Sequence, residues 1–313
     1  MIACVFPGQG AQKVGMGKDL ADAFPVCRDT FREADDALGE SLTTMCFEGP
    51  EERLLLTENT QPAILAASVA VYRLARQHGI EPSCAAGHSL GEYSAHVAAG
   101  TLSFADALRT VRRRGRYMQE AVPVGTGAMA AVLGLDAAIV GEVCEAASVE
   151  RGEVVTPANL NAPGQVVIAG HAGAVARAGE LAKARGARRV IALAVSAPFH
   201  CPLMAPAQER LAPELRALDA HAPAFPVVAN VDAQPKTDAA GAIEALIRQV
   251  SSPVRWEDVV RRLVAAGARV FVELGPGTVL AGLIKKIEPS VAVVSVENSQ
   301  GLEKALSLVG AAD

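Results

Sequence analysis

Apolar positions in this chain alternate between short unbroken runs and helical stripes, and the changes of rhythm mark most of its elements. Ile2 to Phe6 is an apolar run closed by Pro7, the pattern of a strand buried on both faces. From Met16 to Leu56 short helical stretches are broken by Pro25, Gly39 and Gly49-Pro50. Thr60-Gln61-Pro62 then opens a long helix, with Thr60 placed to cap it and Pro62 near its first turn. Its Ala-rich apolar face runs to the stop His78-Gly79, as in a helix buried against a sheet. Ser83-Cys84-Ala85-Ala86 reads as a strand, though its β-propensity is low, and Tyr93 to Ala99 reads as a helix. In the helix Phe104 to Val122, Phe104, Leu108, Val111, Gly115 and Met118 share one stripe at about 100° per residue. Arg109, Arg113 and Arg116 fall opposite that stripe. Arg112 and Arg114 lie at its two edges, where a guanidinium could reach into a cleft.

After Gly125-Thr126-Gly127 the texture changes. Ala128 to Leu133 reads as strand, Ala137 to Ala147 as helix, and Val154 to Thr156 and Gln165 to Ala169 as two strands. Those two are joined by the polar turn Asn159-Leu160-Asn161-Ala162-Pro163-Gly164, and Ala172 to Arg185 (helix) and Arg189 to Val195 (strand) follow. The order β-α-β-β-α-β is that of a small ferredoxin-like domain. The expectation is therefore an insertion at 125–195 into a larger domain made of 1–124 and 196–313. In the remainder, Leu203 to Leu218, Ile243 to Val250, Trp256 to Ala266 and Val279 to Lys286 read as helices. Phe225 to Val231, Arg269 to Leu274 and Val291 to Val296 read as strands. Strands alternating with helices imply an α/β fold with a mainly parallel, layered sheet.

Bulk composition narrows the function. Half of the residues are hydrophobic but only 4% are aromatic, so Ala, Val and Leu build the core. A net charge of −5 argues against generic nucleic-acid binding and against a basic membrane anchor. With no signal-peptide pattern and no apolar run of about 18 residues, the expected location is the cytoplasm. Six scattered cysteines without Cys-x-x-Cys indicate reduced thiols. The six histidines form no His-Glu-x-x-His, so neither a metal nor a cofactor is expected.

The chemistry centres on Gly87-His88-Ser89-Leu90-Gly91-Glu92. Gly-x-Ser-x-Gly between a strand and a helix is the nucleophile elbow of α/β-hydrolase-like folds, which present a serine hydroxyl at a helix N-terminus. The alternative is a serine that only caps the helix. Gly8-Gln9-Gly10-Ala11-Gln12 is a loop of small residues that backbone or ligand can approach closely; it fits neither the dinucleotide fingerprint nor a P-loop, and an ordinary turn is its alternative. Gly125-Thr126-Gly127 precedes its strand and is no fingerprint either. His200 ends the loop Ser196-Ala197-Pro198-Phe199-His200, where flanking prolines fix the backbone.

Taken together and in order, Gly8-Gln9-Gly10, Thr60-Gln61-Pro62, Gly87 to Glu92, the arginine before Gly115, Pro157-Ala158-Asn159, Ser196 to His200 and Glu273 to Gly277 resemble the malonyl-CoA:acyl-carrier-protein transacylases over nearly the whole chain. The resemblance implies Ser89 as nucleophile and His200 as its base, oriented by the backbone carbonyl of Gln249 and by no acid. It implies an oxyanion hole from the backbone N–H groups of Gln9 and Leu90. Of the two edge arginines it selects Arg114 as the bidentate clamp on the malonyl carboxylate. Phe199 would crowd the extra methyl of methylmalonyl, a mismatch worth only about 1–3 kcal/mol. Gln61, His88, Asn159 and Asn161 are the remaining candidates for substrate contact, with packing as the alternative for His88 and the two asparagines. The implied partners are malonyl-CoA and an acidic acyl carrier protein, steered by Arg109, Arg113 and Arg116 or by Arg188, Arg189, Lys285 and Lys286. A monomer is expected. The rival readings are a serine thioesterase or esterase with Asp136, Glu142 or Glu153 as its acid, the transacylase subunit of a malonate decarboxylase, and a non-catalytic docking module.

Overall fold

The computed structural model describes residues 1–123, 125–148 and 152–310; a domain boundary at residue 124 lies outside them. Its larger sheet has six strands, numbered here in chain order: β1 (Ile2–Phe6), β2 (Cys84–Gly87), β7 (Val227–Val228), β8 (Pro235–Lys236), β9 (Val270–Leu274) and β10 (Ala292–Val296). The spatial order is β10-β9-β1-β2-β7-β8, and only β8 runs antiparallel. Alternation along β1 explains its unbroken apolar run. Cys4 and Phe6 enter the core on one side of the sheet, Ala3 and Val5 the core on the other. Helices cover both faces. Thr57–Gln77, Leu90–Ala98 and Phe104–Glu120 contribute to the first core, and Trp256–Ala265 and Val279–Ile287 to the second. None of the helices among the described residues is long and apolar enough to cross a membrane.

Four further strands, β3 (Gly127–Leu133), β4 (Val155–Ala162), β5 (Gln165–His171) and β6 (Arg189–Ala192), form an antiparallel sheet in the order β4-β5-β3-β6. With helices Ala137–Ser148 and Ala172–Ala184 they have the expected β-α-β-β-α-β order and their own apolar core. The opposite face, through Met129, Ala158, Val167 and Ala169, joins the core of the large sheet. A backbone bridge also ties the two parts together, since Leu160 N–H donates to the Val254 carbonyl at 2.8 Å and Val254 N–H to the Ala158 carbonyl at 2.9 Å.

Several local expectations are corrected. The long helix begins at Thr57, not at Thr60, and no side chain caps it. The Thr60 hydroxyl instead donates backward to the carbonyls of Leu54 and Leu56, and Pro62 sits inside the helix. Asn159 and Asn161 are not in a turn. They lie within β4, which bulges beside each of them, and only Pro163-Gly164 links it to β5, with Gly164 at φ 66°. The strand expected over Phe225 to Val231 pairs only at Val227–Val228, because the next amides are diverted, Ala229 N–H to the Gln234 carbonyl and Asn230 N–H to the Glu92 carboxylate. The strand expected over Arg189 to Val195 ends at Ala192. A last helix, Ser299–Gly310, was not expected and packs its apolar side on β10.

The helix pair Thr57–Gln77 and Phe104–Glu120 sets the position of Arg114. Gly115 is their point of closest approach: a Cβ there would lie 2.6 Å from the Thr57 carbonyl oxygen and from Glu58 Cα. Gly115→Ala is therefore expected to push the helices apart and destabilise the protein by about 1–3 kcal/mol in chemical denaturation, despite alanine's higher helix propensity. Unchanged stability would show that the contact yields freely.

Candidate active site

Ser89 sits between β2 and the helix Leu90–Ala98 with φ 51° and ψ −107°, a conformation that side chains other than glycine rarely adopt. Three features hold it there. Its N–H donates to Asn230 Oδ1 at 2.7 Å, while Asn230 Nδ2 donates to the Gly87 carbonyl at 2.7 Å. Gln249 Nε2 donates to the Ser89 carbonyl at 2.9 Å. Gly91 lets the new helix pass directly over β1, since a Cβ on it would lie 2.0 Å from the Phe6 carbonyl oxygen. Ser89-x-x-Glu92 has the spacing of a capping box, yet the serine side chain makes no cap bond. The helix-cap alternative therefore falls.

The freed hydroxyl lies 2.6 Å from His200 Nε2. His200 Nδ1 donates to the Gln249 carbonyl at 3.0 Å, which leaves Nε2 without a proton and able to accept the serine O–H. No acid takes that place. Of the three acids an esterase triad would need, Asp136 is exposed, Glu142 pairs with Arg185, and Glu153 pairs with Arg177. Burial and the positive charge of Arg114 push His200 down to about 3, so it is neutral at physiological pH.

Arg114 is 2% exposed, and its polar partners are all neutral. Nη1 donates to Gln61 Oε1 at 2.7 Å, and Nη2 to Gln249 Oε1 at 2.8 Å and to Ser89 Oγ at 3.1 Å. The guanidinium carbon also stands 5.6 Å from the centre of the Tyr93 ring. A buried guanidinium held by neutral groups beside a nucleophilic hydroxyl is built to receive an anion. Arg112, the other edge candidate, pairs with Glu40 instead. Tyr93, buried beside the guanidinium, is pushed up to about 12, with desolvation the main cause.

Ser89, His200, Arg114, Gln61, Gln9, His88, Asn159 and Phe199 all line one cavity of about 130 Å³, together with Met118, Met129, Leu193 and Val195. A neighbouring cavity of about 240 Å³ shares Gln9, His88, Asn159 and Leu193 with it and adds Asn161 and Gln165 from the small sheet and Leu280 and Leu283 from the large part. His88 Nε2 donates to Asn161 Oδ1 at 2.9 Å, and burial keeps the ring neutral. The two candidates are therefore partners across the two sheets. Leu90 opens the helix, where the first N–H groups lack intrahelical acceptors. Gln9 reaches the cavity from the loop after β1, its side-chain oxygen held by the Thr57 hydroxyl at 2.8 Å.

Sequence reasoning missed the amide side chain of Gln249, which touches Ser89, Arg114 and Glu92 at once. It also missed Asn230 and gave Glu92 no role of its own. The capping-box spacing was the one available signal for Glu92; nothing around Asn230 points to the elbow. Glu273 proves to be a cap. Its carboxylate, buried beneath Val279–Ile287, accepts the N–H groups of Leu280 and Ala281, each at 3.0 Å.

Residues 3–305 match the acyl transferase domain family. This chain belongs to that family. The acyl transferase is 50% identical over 307 residues to the malonyl CoA-acyl carrier protein transacylase of Escherichia coli K12, covering 98% of this chain and 99% of that one. It is 49% identical to the corresponding transacylase of Bacillus subtilis strain 168, over 97% of this chain and 96% of that one. Among solved structures, an acyl carrier protein S-malonyltransferase from Vibrio cholerae superposes with a TM-score of 0.94 at 49% identity, over 97% of this chain and 99% of that one. A malonyl-transacylase in complex with its type II polyketide acyl-carrier protein gives 0.95 at 48% identity, over 98% and 99%.

The site's buried histidines make stability depend on pH. His96, a buried residue of the helix Leu90–Ala98 that follows Ser89, is also pushed down to about 3 by desolvation. Between pH 6.5 and 5 the unfolded chain gains a proton at each of His96 and His200 while the folded acyl transferase does not, so folding stability falls as pH falls. Glu92, raised by burial, opposes part of that loss. His96→Gln is expected to flatten the slope of unfolding free energy by up to about 1.4 kcal/mol per pH unit in this window. An unchanged slope in urea titrations at pH 6.5 and 5 would mean that His96 is protonated in the fold.

Proposed function

We propose that this acyltransferase carries a malonyl group from malonyl-CoA to the phosphopantetheine thiol of an acyl carrier protein through an ester on Ser89. The observation that carries this reading is the neutrally partnered Arg114 guanidinium 3.1 Å from the Ser89 hydroxyl. An esterase for neutral acyl groups would gain nothing from such a charge and would bear the cost of burying it. Two steps follow. His200 accepts the Ser89 proton as the hydroxyl attacks the thioester, and the proton passes to the departing CoA sulfur. The carrier's thiol then gives its proton to His200 and attacks the malonyl ester, and as the acyl bond to Ser89 Oγ breaks, His200 returns that proton to the serine oxygen 2.6 Å away. The N–H groups of Gln9 and Leu90 would hold the oxyanion of each tetrahedral intermediate.

We assign substrate contacts to Gln61, which shares the clamp, to Phe199 at the acyl end, and to Asn159, Asn161 and His88 where the two cavities meet. Residues 125–195 would form an inserted domain roofing the cleft between them and the rest of the chain. For the acidic carrier, Arg188, Arg189, Lys285 and Lys286 are better placed than Arg109, Arg113 and Arg116, which are engaged with Asp106, Glu214 and Glu58. A cytoplasmic monomer completes the reading.

Intact mass spectrometry after mixing with malonyl-CoA, without carrier, tests it. A malonyl adduct is expected that disappears in Ser89→Ala and forms on the order of 10- to 100-fold more slowly in Arg114→Ala, the loss expected for a charged bidentate contact. Equal loading from acetyl-CoA would overturn the clamp. CoA release with no adduct would favour thioester hydrolysis.

A further inference from the structure

Among the described residues, Glu92 is the carboxylate hydrogen-bonded into this site, and the proposed chemistry leaves it without a task. It is completely buried. Oε2 accepts from the Asn230 N–H at 2.9 Å and from Gln249 Nε2 at 2.8 Å, while Oε1 has no hydrogen-bond partner. The same Gln249 amide accepts from Arg114 Nη2 at 2.8 Å. One amide thus separates a buried carboxylate from the buried guanidinium, and only one orientation of that amide satisfies both. Glu92 and the Ser89 carbonyl, both acceptors of Nε2, fix this orientation together with Arg114, which donates to Oε1.

The charges follow the same line. Without substrate, an ionised Glu92 and Arg114, both buried, balance one another. A substrate carboxylate seated on Arg114 would bring a second negative charge into it, and two carboxylates sharing one guanidinium in low dielectric favour protonation of one of them. We propose that Glu92 is a positioning residue that serves as the counter-charge of Arg114 in the empty site and takes up a proton when a malonyl carboxylate replaces it there. This rests on the malonyl reading above. The proton comes from solvent on loading and returns to it when the acyl group leaves, so a full cycle consumes none.

Glu92 is poised for such an exchange, since burial lifts it to about 7 against the pull of its hydrogen bonds and Arg114. Its titratable neighbours do not interfere between pH 6 and 8. Arg114 stays charged although burial lowers it. Asp232, beyond Asn230, stays below the usual carboxylate range because Lys236 and Arg248 outweigh its partial burial. Tyr93, on Glu92's own helix, and His200 lie far above and far below this window.

The test uses malonyl-pantetheine, which lacks the phosphates of CoA that titrate near neutrality. Loading of the unmodified enzyme in weakly buffered indicator solution is expected to take up about half a proton per malonyl-serine at pH 7, rising toward one at pH 8. The KM should rise several-fold from pH 6 to 8, at most about tenfold per unit, with little change in kcat. In Glu92→Gln, which keeps the acceptor oxygen but carries no charge, both the proton uptake and the slope in KM should vanish. A merely structural Glu92 would lower activity equally at every pH. Loading with no proton uptake overturns the proposal, as does a Glu92→Gln enzyme that keeps the pH dependence; should that variant not fold, proton uptake by the unmodified enzyme decides alone. If no malonyl adduct forms at any pH, the malonyl reading itself fails and this proposal with it.

Discussion

The site depends on the backbone of one residue, Ser89, held at φ 51° and ψ −107°. Such a conformation costs of order 1–3 kcal/mol and persists only where its surroundings over-determine it. Here they do. Asn230 takes its N–H, Gln249 takes its carbonyl, and Gly91 allows the helix to cross β1 without a clash. The return is a hydroxyl that neither caps its helix nor bonds its own backbone, and so faces His200 and Arg114 together. The residues that hold the elbow also complete the rest of the site: Gln249 orients His200 by its carbonyl and Arg114 by its amide.

Burial then decides the charge states. Removing His200 from water keeps it neutral, as a proton acceptor must be, and the nearby guanidinium reinforces this. The cation that disfavours a protonated histidine is the one poised to receive an anion, so a bound carboxylate would weaken that effect and make His200 a better base. By this argument the proposed clamp both selects the substrate and tunes the base. A neutral acyl group would bring no such charge to the guanidinium and would leave the effect in place.

Much of this was legible in the sequence because it is written in local terms. The elbow is a six-residue motif, the helical stripe around Gly115 puts Arg114 at an edge, and β1 alternates between two cores. The ordered motifs supplied what spacing could not, the choice of Arg114 over Arg112 and the use of a carbonyl at Gln249. The illegible parts depend on contacts between residues far apart in the chain. Asn230 acts on Ser89 across 141 positions and Gln249 on Glu92 across 157, and no periodicity records such pairings. The truncated β7 has in part the same cause, for the Asn230 amide leaves the ladder for distant Glu92 while the Ala229 amide turns back to the Gln234 carbonyl. The asparagines of β4 were misplaced because polar residues normally mark turns, whereas here they are polar because they face a cavity.

The same logic explains why the small sheet bears on catalysis at all. It supplies Met129 and Asn159 to the cavity walls, and the segment leaving β6 adds Leu193 and Val195, although Ser89, His200 and Arg114 all belong to the other part of the chain. β4 holds that part through Val254, which accepts from the Leu160 N–H and donates to the Ala158 carbonyl, five residues after Gln249 and two before Trp256, the ring that packs on His88. A shift of β4 would therefore move the segment that carries the Gln249 carbonyl, and with it the ring of His200. The wall of the acyl cavity and the orientation of the proposed base are joined through one strand, so a change in how the cavity is filled would be felt at the proton acceptor. Exclusion of water and alignment of the base would then arise from the same packing.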